Sequence, residues 1–180
     1  MAIKKTELYA SLWASCDELR GGMDASQYKN YILTLLFVKY VSDKYKGEKF
    51  GTIKVPEGGS FDDMVAMKGQ KDIGERMNII VRNLATENDM GWLSGSDNDF
   101  ENEDRLGKGK ALVDTLSNLV GIFENLELGK NAADGDDLLG DAYEYLMRHF
   151  ATESGKSTTI VNHAVNIKKS DEYSLFFLFY

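Results

Sequence analysis

The stretch from Asp24 to Tyr45, DASQYKNYILTLLFVKYVSDKY, constrains the fold more than any other part of the chain. Asp24 followed three residues later by Gln27 predicts a helix whose first-turn donors are met by a capping box. From Tyr31 to Val41 apolar residues are nearly continuous, and a helix apolar on every side is normally enclosed by other helices. At ~1.5 Å per residue it spans about 33 Å, the width of a small domain. Lys29, Thr34, Lys39 and the Ser42-Asp43-Lys44 end are too polar for a bilayer span. The expected fold is therefore mainly α: a small bundle of five to six helices around a central buried helix, with at most a short hairpin near residues 50–56.

The other elements follow from periodicity and punctuation. Leu8, Leu12, Cys16 and Leu19 share a face of a first helix with Thr6 as its N-cap, which stops at Gly21-Gly22, where positive φ is free of strain. The short turn makes it an antiparallel or steeply crossed neighbour of the central helix. KGEKFGTIKVPEGGS is a loop in which Thr52–Val55 is a candidate hairpin arm, kept short by Pro56 and Gly58-Gly59. Ser60 with Asp63 caps a short helix, and Asp72 with Glu75 caps one carrying Ile73, Met77, Ile80 and Leu84, ending near Asn88. Further helices are predicted from Lys110 to Asn125, lined by Leu112, Leu116, Leu119 and Phe123, and from about Asp136 to Ala151, with Leu138, Leu139, Ala142, Tyr143, Leu146 and Phe150 inward.

Composition narrows the chemistry. A net charge of -8 and a pI near 4.8 exclude a uniformly basic surface but leave room for a local basic face. Cys16 is the only cysteine, so it forms no internal disulfide, and with two histidines it cannot complete a structural zinc site; on an apolar stripe it is a core residue. MAIKKTELYASLW lacks a signal core, which makes the cytoplasm the expected compartment. The acids at 97, 99, 101, 103 and 104 fail the calcium-loop pattern, because Glu101 and Asn102 hold its fifth and sixth positions; a solvated loop is expected. GKST at 155–158 has Phe150 where a phosphate loop needs its first glycine, and it follows a helix rather than a strand. His149 reads as a partly buried packing residue. No residue is assigned a catalytic, cofactor-binding or metal role.

Two segments carry a family resemblance: LWASCDELRGGMDASQYKNYILTLLFVKYVSDKY and DLLGDAYEYLMRHFATESGK. They resemble the opening helix pair and the closing helix of the N-terminal helical domain of the methyltransferase (M) subunit of type I restriction-modification systems, over roughly residues 5–156. The resemblance implies a whole subunit that transfers a methyl group from S-adenosylmethionine to adenine N6 in DNA. It also implies assembly of two M subunits with a specificity (S) subunit, which a restriction subunit can join. The family's cofactor loop, resembling D-P-A-C-G-S-G, and its catalytic N-P-P-[FY] both need prolines that a chain with Pro56 alone does not have. This chain is accordingly expected to bind no S-adenosylmethionine and to methylate nothing by itself. Residues 1–157 are read as the helical domain and 158–180 as a tail outside the family pattern, whose apolar end at 173–180 either self-associates, if exposed, or packs back onto the bundle.

The function expected on this reading is assembly and DNA clamping, through M–M and M–S contacts. Lys39, Lys44, Lys46, Lys49 and Lys54 are the candidates for a phosphate-facing patch, since backbone contacts need charge but not base-reading geometry. The alternative is an autonomous interaction or regulatory protein that uses Trp13, Trp92 or the aromatic tail.

Overall fold

Asp24 starts the long helix as its sequence requires: Oδ1 accepts the amides of Ser26 at 2.8 Å and Gln27 at 3.2 Å, while the Asp24 amide donates to Gln27 Oε1 at 3.2 Å. The Ser26 hydroxyl, followed by those amides, holds the Asp24 carboxyl below its ordinary value. The structure, a computed structural model, describes residues 4–129 and 138–153. Among these are seven α-helices: α1 Lys5–Arg20, α2 Ala25–Tyr45, α3 Phe61–Ala66, α4 Ile73–Glu87, α5 Glu103–Leu106, α6 Lys110–Glu124 and α7 Leu138–Glu153. Two 3-10 turns lie at Gly91–Leu93 and Ser96–Asn98. The tail at 158–180 lies outside the described residues, as does GKST.

The mainly α bundle around a buried helix is what forms. α2 packs against α1, α3, α6, α7 and the second 3-10 turn, and Tyr28, Tyr31, Ile32, Leu35 and Val38 are fully buried. α6 is a second hub, touching α1, α2, α3, α4 and α5, and it buries Leu116, Leu119, Val120 and Phe123. Cys16 is buried in the core.

Several local expectations are corrected. α1 begins at Lys5 after Lys4, not after Thr6, because the Glu7 carboxylate accepts the Lys4 amide at 3.2 Å and starts the helix earlier. Gly21 sits at φ -68°, so no left-handed residue ends α1. Glycine is required next door for space: a Cβ on Gly22 would lie 2.8 Å from the Arg105 carbonyl oxygen of α5. Asp72 makes no cap hydrogen bond; its carboxylate instead holds Arg76 Nε at 2.7 Å, and that bond lowers its pKa. Ser60 and Asp63 do form their box, with the Ser60 amide donating to Asp63 Oδ2 at 2.9 Å.

No strand forms among the described residues, and Thr52–Val55 is irregular. The side chain of Asn88 takes both main-chain groups of Lys54, accepting from its N–H and donating to its C=O at 2.8 Å each, and thereby removes the pairing groups a hairpin would need.

The acidic stretch is not simply a solvated loop. Phe100 is buried edge-on against Tyr31 with ring centroids 5.5 Å apart, and Leu106 is buried on α5. Buried Asn98 donates to Thr34 Oγ1 and to the Leu93 carbonyl, both at 2.8 Å. Thr34, the polar interruption of α2, is thus the anchor for this stretch.

Candidate nucleic-acid interface

α2 delivers the lysine-rich segment to the surface. Its C-cap is Lys46, whose amide reaches the Ser42 carbonyl at 3.2 Å, and the Glu48 amide then bonds the Tyr45 carbonyl at 3.0 Å to turn the chain. Gly51 lies on the Tyr45 ring, where a Cβ would come within 2.8 Å of Cδ1. Beyond it the loop is fastened by buried Ile53, by the Asn88–Lys54 pair of bonds and by the Asn83 side chain, which donates to the Gly58 carbonyl at 3.0 Å. The Phe61 amide closes it by bonding Ser42 Oγ at 2.7 Å. The loop is long in sequence but has a fixed base.

The five candidate lysines do not form one patch. Lys39 is buried: its Nζ meets Asp43 Oδ1 at 2.8 Å and lies 5.3 Å from the centre of the Phe61 ring, so its charge is spent inside the protein. Charge signs alone do not reveal this, although the Lys39–Asp43 spacing of four does predict a helix-surface pair. Lys44 donates to the Tyr40 hydroxyl at 2.8 Å and lies over the Tyr40 and Tyr45 rings. Lys46 pairs with Asp62, and Lys54 Nζ stands 4.0 Å from Glu87. Lys49 is exposed and has no partner among the described residues. The surface set is therefore Lys44, Lys46, Lys49 and Lys54, with Glu48 the only acid between Lys44 and Lys54.

Sequence reasoning missed Phe50, which follows Lys49 in the chain and is 98% exposed. A signal existed: an aromatic residue between Lys49 and Gly51, with no apolar residue at helical or strand spacing to pack on. A second cluster lies on the α1–α7 face, where Trp13 meets His149, the partly buried packing residue that the sequence indicates. Trp13 is 43% exposed and covered by the Arg20 guanidinium 5.1 Å from its ring, with His149 edge-on at 4.6 Å, and Tyr9 stacks on Tyr145 at 4.5 Å. Arg20 Nη2 and His149 Nε2 are 3.3 Å apart. Trp92 is half-buried against Phe37. An open polar groove of about 330 Å³ runs beside α4, lined by Asn78, Arg82, Ser94, Ser96, Asn98 and Asp99 among others. Its central amide is already occupied, since Asn78 donates to Asp99 at 2.7 Å and accepts from the Phe100 amide at 3.0 Å. Among the described residues no cluster of three or more His, Cys, Asp or Glu is placed to hold a metal, and no helix is long and apolar enough to cross a membrane. What the end of α2 and its loop present is a locally cationic surface segment, with Lys44, Lys46, Lys49 and Lys54 against the single acid Glu48.

Comparison with known proteins gives concordant results. The family described as the HsdM N-terminal domain matches residues 8–123. The chain is similar to the type I restriction enzyme StySPI methylase subunit of Salmonella potsdam, at 28% identity over 155 residues. It is also similar to the EcoKI methylase subunit of Escherichia coli K12, at 27% identity over the same length. Each match covers 84% of this chain and 27% of the relative, so the chain spans about a quarter of those proteins. In fold it is similar to the crystal structure of a type I methyltransferase subunit from Streptococcus thermophilus, with a TM-score of 0.69 at 24% identity, over 88% of this chain and 42% of that one.

Proposed function

Because the chain belongs to the HsdM N-terminal domain family, we propose that it serves as the helical assembly and DNA-clamping module of a type I methylase subunit. It contacts a specificity subunit and a second methylase subunit, with a restriction subunit joining the complex, and helps enclose the duplex. Methyl transfer from S-adenosylmethionine to adenine N6 belongs, on this reading, to the part of the relatives that this chain does not span. The observation that supports the DNA-facing role is the end of α2 with the anchored loop after it, a segment that carries Lys44, Lys46, Lys49 and Lys54 with one acid among them on a chain of net charge -8.

The assembly role is tested by co-expressing the full chain with a type I specificity subunit and purifying through a tag on the latter. Stoichiometric co-elution is expected, and its absence under low salt sinks the role. The DNA-facing role predicts weak, steeply salt-dependent binding. With about three phosphate contacts, log K should fall against log salt with a slope of roughly -2.7 for duplex, and binding should vanish by about 0.3 M salt. Tight binding that persisted there would contradict a contact made by a few lysines. Calorimetric titration with S-adenosylmethionine should show no stoichiometric heat, and micromolar binding would overturn the assignment of cofactor binding to the remainder of the subunit.

A further inference from the structure

We propose that Phe50 is a stacking platform for a nucleobase that is unpaired or displaced from its duplex, with the lysines around it holding the flanking phosphates. This rests on the reading above that the loop after α2 faces DNA, and it adds a contact to the base itself.

The argument starts from an anomaly of exposure. Phe50 is 98% exposed, whereas the other exposed large apolar side chains among the described residues, Trp13 and Ile79, are near 40%. A phenyl ring held in water forgoes all its burial, so any partner that covers it gains that burial. Looseness of the chain does not explain it, because the chain is held on both sides: before the ring the Glu48 amide bonds the Tyr45 carbonyl at 3.0 Å, and after it Gly51 is seated on the Tyr45 ring, Ile53 is buried, and both main-chain groups of Lys54 are bonded to Asn88. The fastening points leave Phe50 projecting from a fixed base.

Its surroundings favour a nucleic acid over a protein surface. A protein-docking patch joins several apolar side chains into one area, whereas Phe50's sequence neighbours from Lys44 to Lys54 include four lysines and a single acid. An exposed ring flanked in sequence by lysines suits a base, because stacking needs only one π-face and the adjacent phosphates need only charge. Lys49, with no partner among the described residues, stands directly beside the ring in sequence, and Lys54, 4.0 Å from Glu87, is the next most available cation. A base inside an intact duplex presents no face to such a ring, which is why the ligand is a single-stranded or unstacked position.

The test uses the full 180-residue chain and a fluorescein-labelled oligothymidylate of about 15 nucleotides, read by anisotropy at about 50 mM salt. Phe50→Ala should weaken binding by about five- to 150-fold, the range that the loss of one base–aromatic stack gives. Phe50→Tyr should bind like the unaltered chain, while Phe50→Leu, apolar but without a π-face, should behave like alanine. Lys49→Ala should reduce the salt slope by about 0.7, whereas Phe50→Ala leaves it unchanged. The side chain touches so little that all three Phe50 variants should keep the parent's thermal stability. If the chain binds the oligonucleotide and Phe50→Ala binds it equally well, the stacking role is wrong while the DNA-facing reading survives. In that case, loss of co-elution with the specificity subunit would assign the ring to a protein contact. If the unaltered chain binds neither single-stranded nor duplex DNA, both readings fall.

Discussion

Replacing Asp43 with alanine is expected to lower stability by about 3–5 kcal/mol, the cost of stranding a buried charge. Asp43 does two jobs at the end of α2. Its Oδ1 meets Lys39 Nζ at 2.8 Å, with the two side chains only 20% and 9% exposed, and its Oδ2 accepts the Leu128 amide at 2.9 Å. That second bond holds the segment leaving α6, where Leu126 and Leu128 are buried. Alanine leaves an ammonium with little water and no countercharge, and it also leaves the Leu128 amide unmet. Urea denaturation at neutral pH measures the loss, and a double variant apportions it. In a Lys39→Met background there is no charge to strand, so Asp43→Ala should then cost only the orphaned amide, about 1–3 kcal/mol. Equal costs in both backgrounds would mean that the ion pair is solvated and contributes nothing.

Leu36→Ala is expected to cost about 2–5 kcal/mol through lost burial and the cavity it leaves. Leu36 is 2% exposed in the middle of α2, on the helix that α1, α3, α6 and α7 all touch. Neighbours on several sides cannot all relax into the space, which places the cost above that of a groove residue. At roughly 2–4 °C per kcal/mol for a chain of this size, the melting temperature should fall by about 4–20 °C. A loss below about 1 kcal/mol would show that α2 is not enclosed as described.

Where a residue's role is set within one turn of helix, it was legible. Asp24–Gln27 and Ser60–Asp63 form their boxes because each reaches only three residues along the chain. The lines Ile73-Met77-Ile80-Leu84 and Leu112-Leu116-Leu119-Phe123 are buried as their spacing requires. Asp72 failed as a cap because a second local partner, Arg76, competes for the same carboxylate. The acidic stretch was misread for a different reason: its charges outnumber Phe100 and Leu106, but the apolar pair and Asn98 decide where the chain lies, since burial outweighs the solvation of neighbours that stay in water anyway.

The candidate interface divides the same way. Four of its five lysines lie in the surface segment that their glycine-rich context indicates, and Lys39 does not, because nothing in α2's sequence says that α3 brings the Phe61 ring over that position. The sequence by itself determined the helical class, the enclosed α2, the main helix limits to within a few residues and the family. All of these rest on patterns that repeat every three or four residues. Tertiary structure alone decided that α6 is a second hub, that Thr34 and Asn98 meet across 64 positions, that Asn88 takes the pairing groups of Lys54, and that Phe50 is left in water. Each of these depends on which distant side chain arrives at a given face, and local periodicity says only that a face exists, not what covers it.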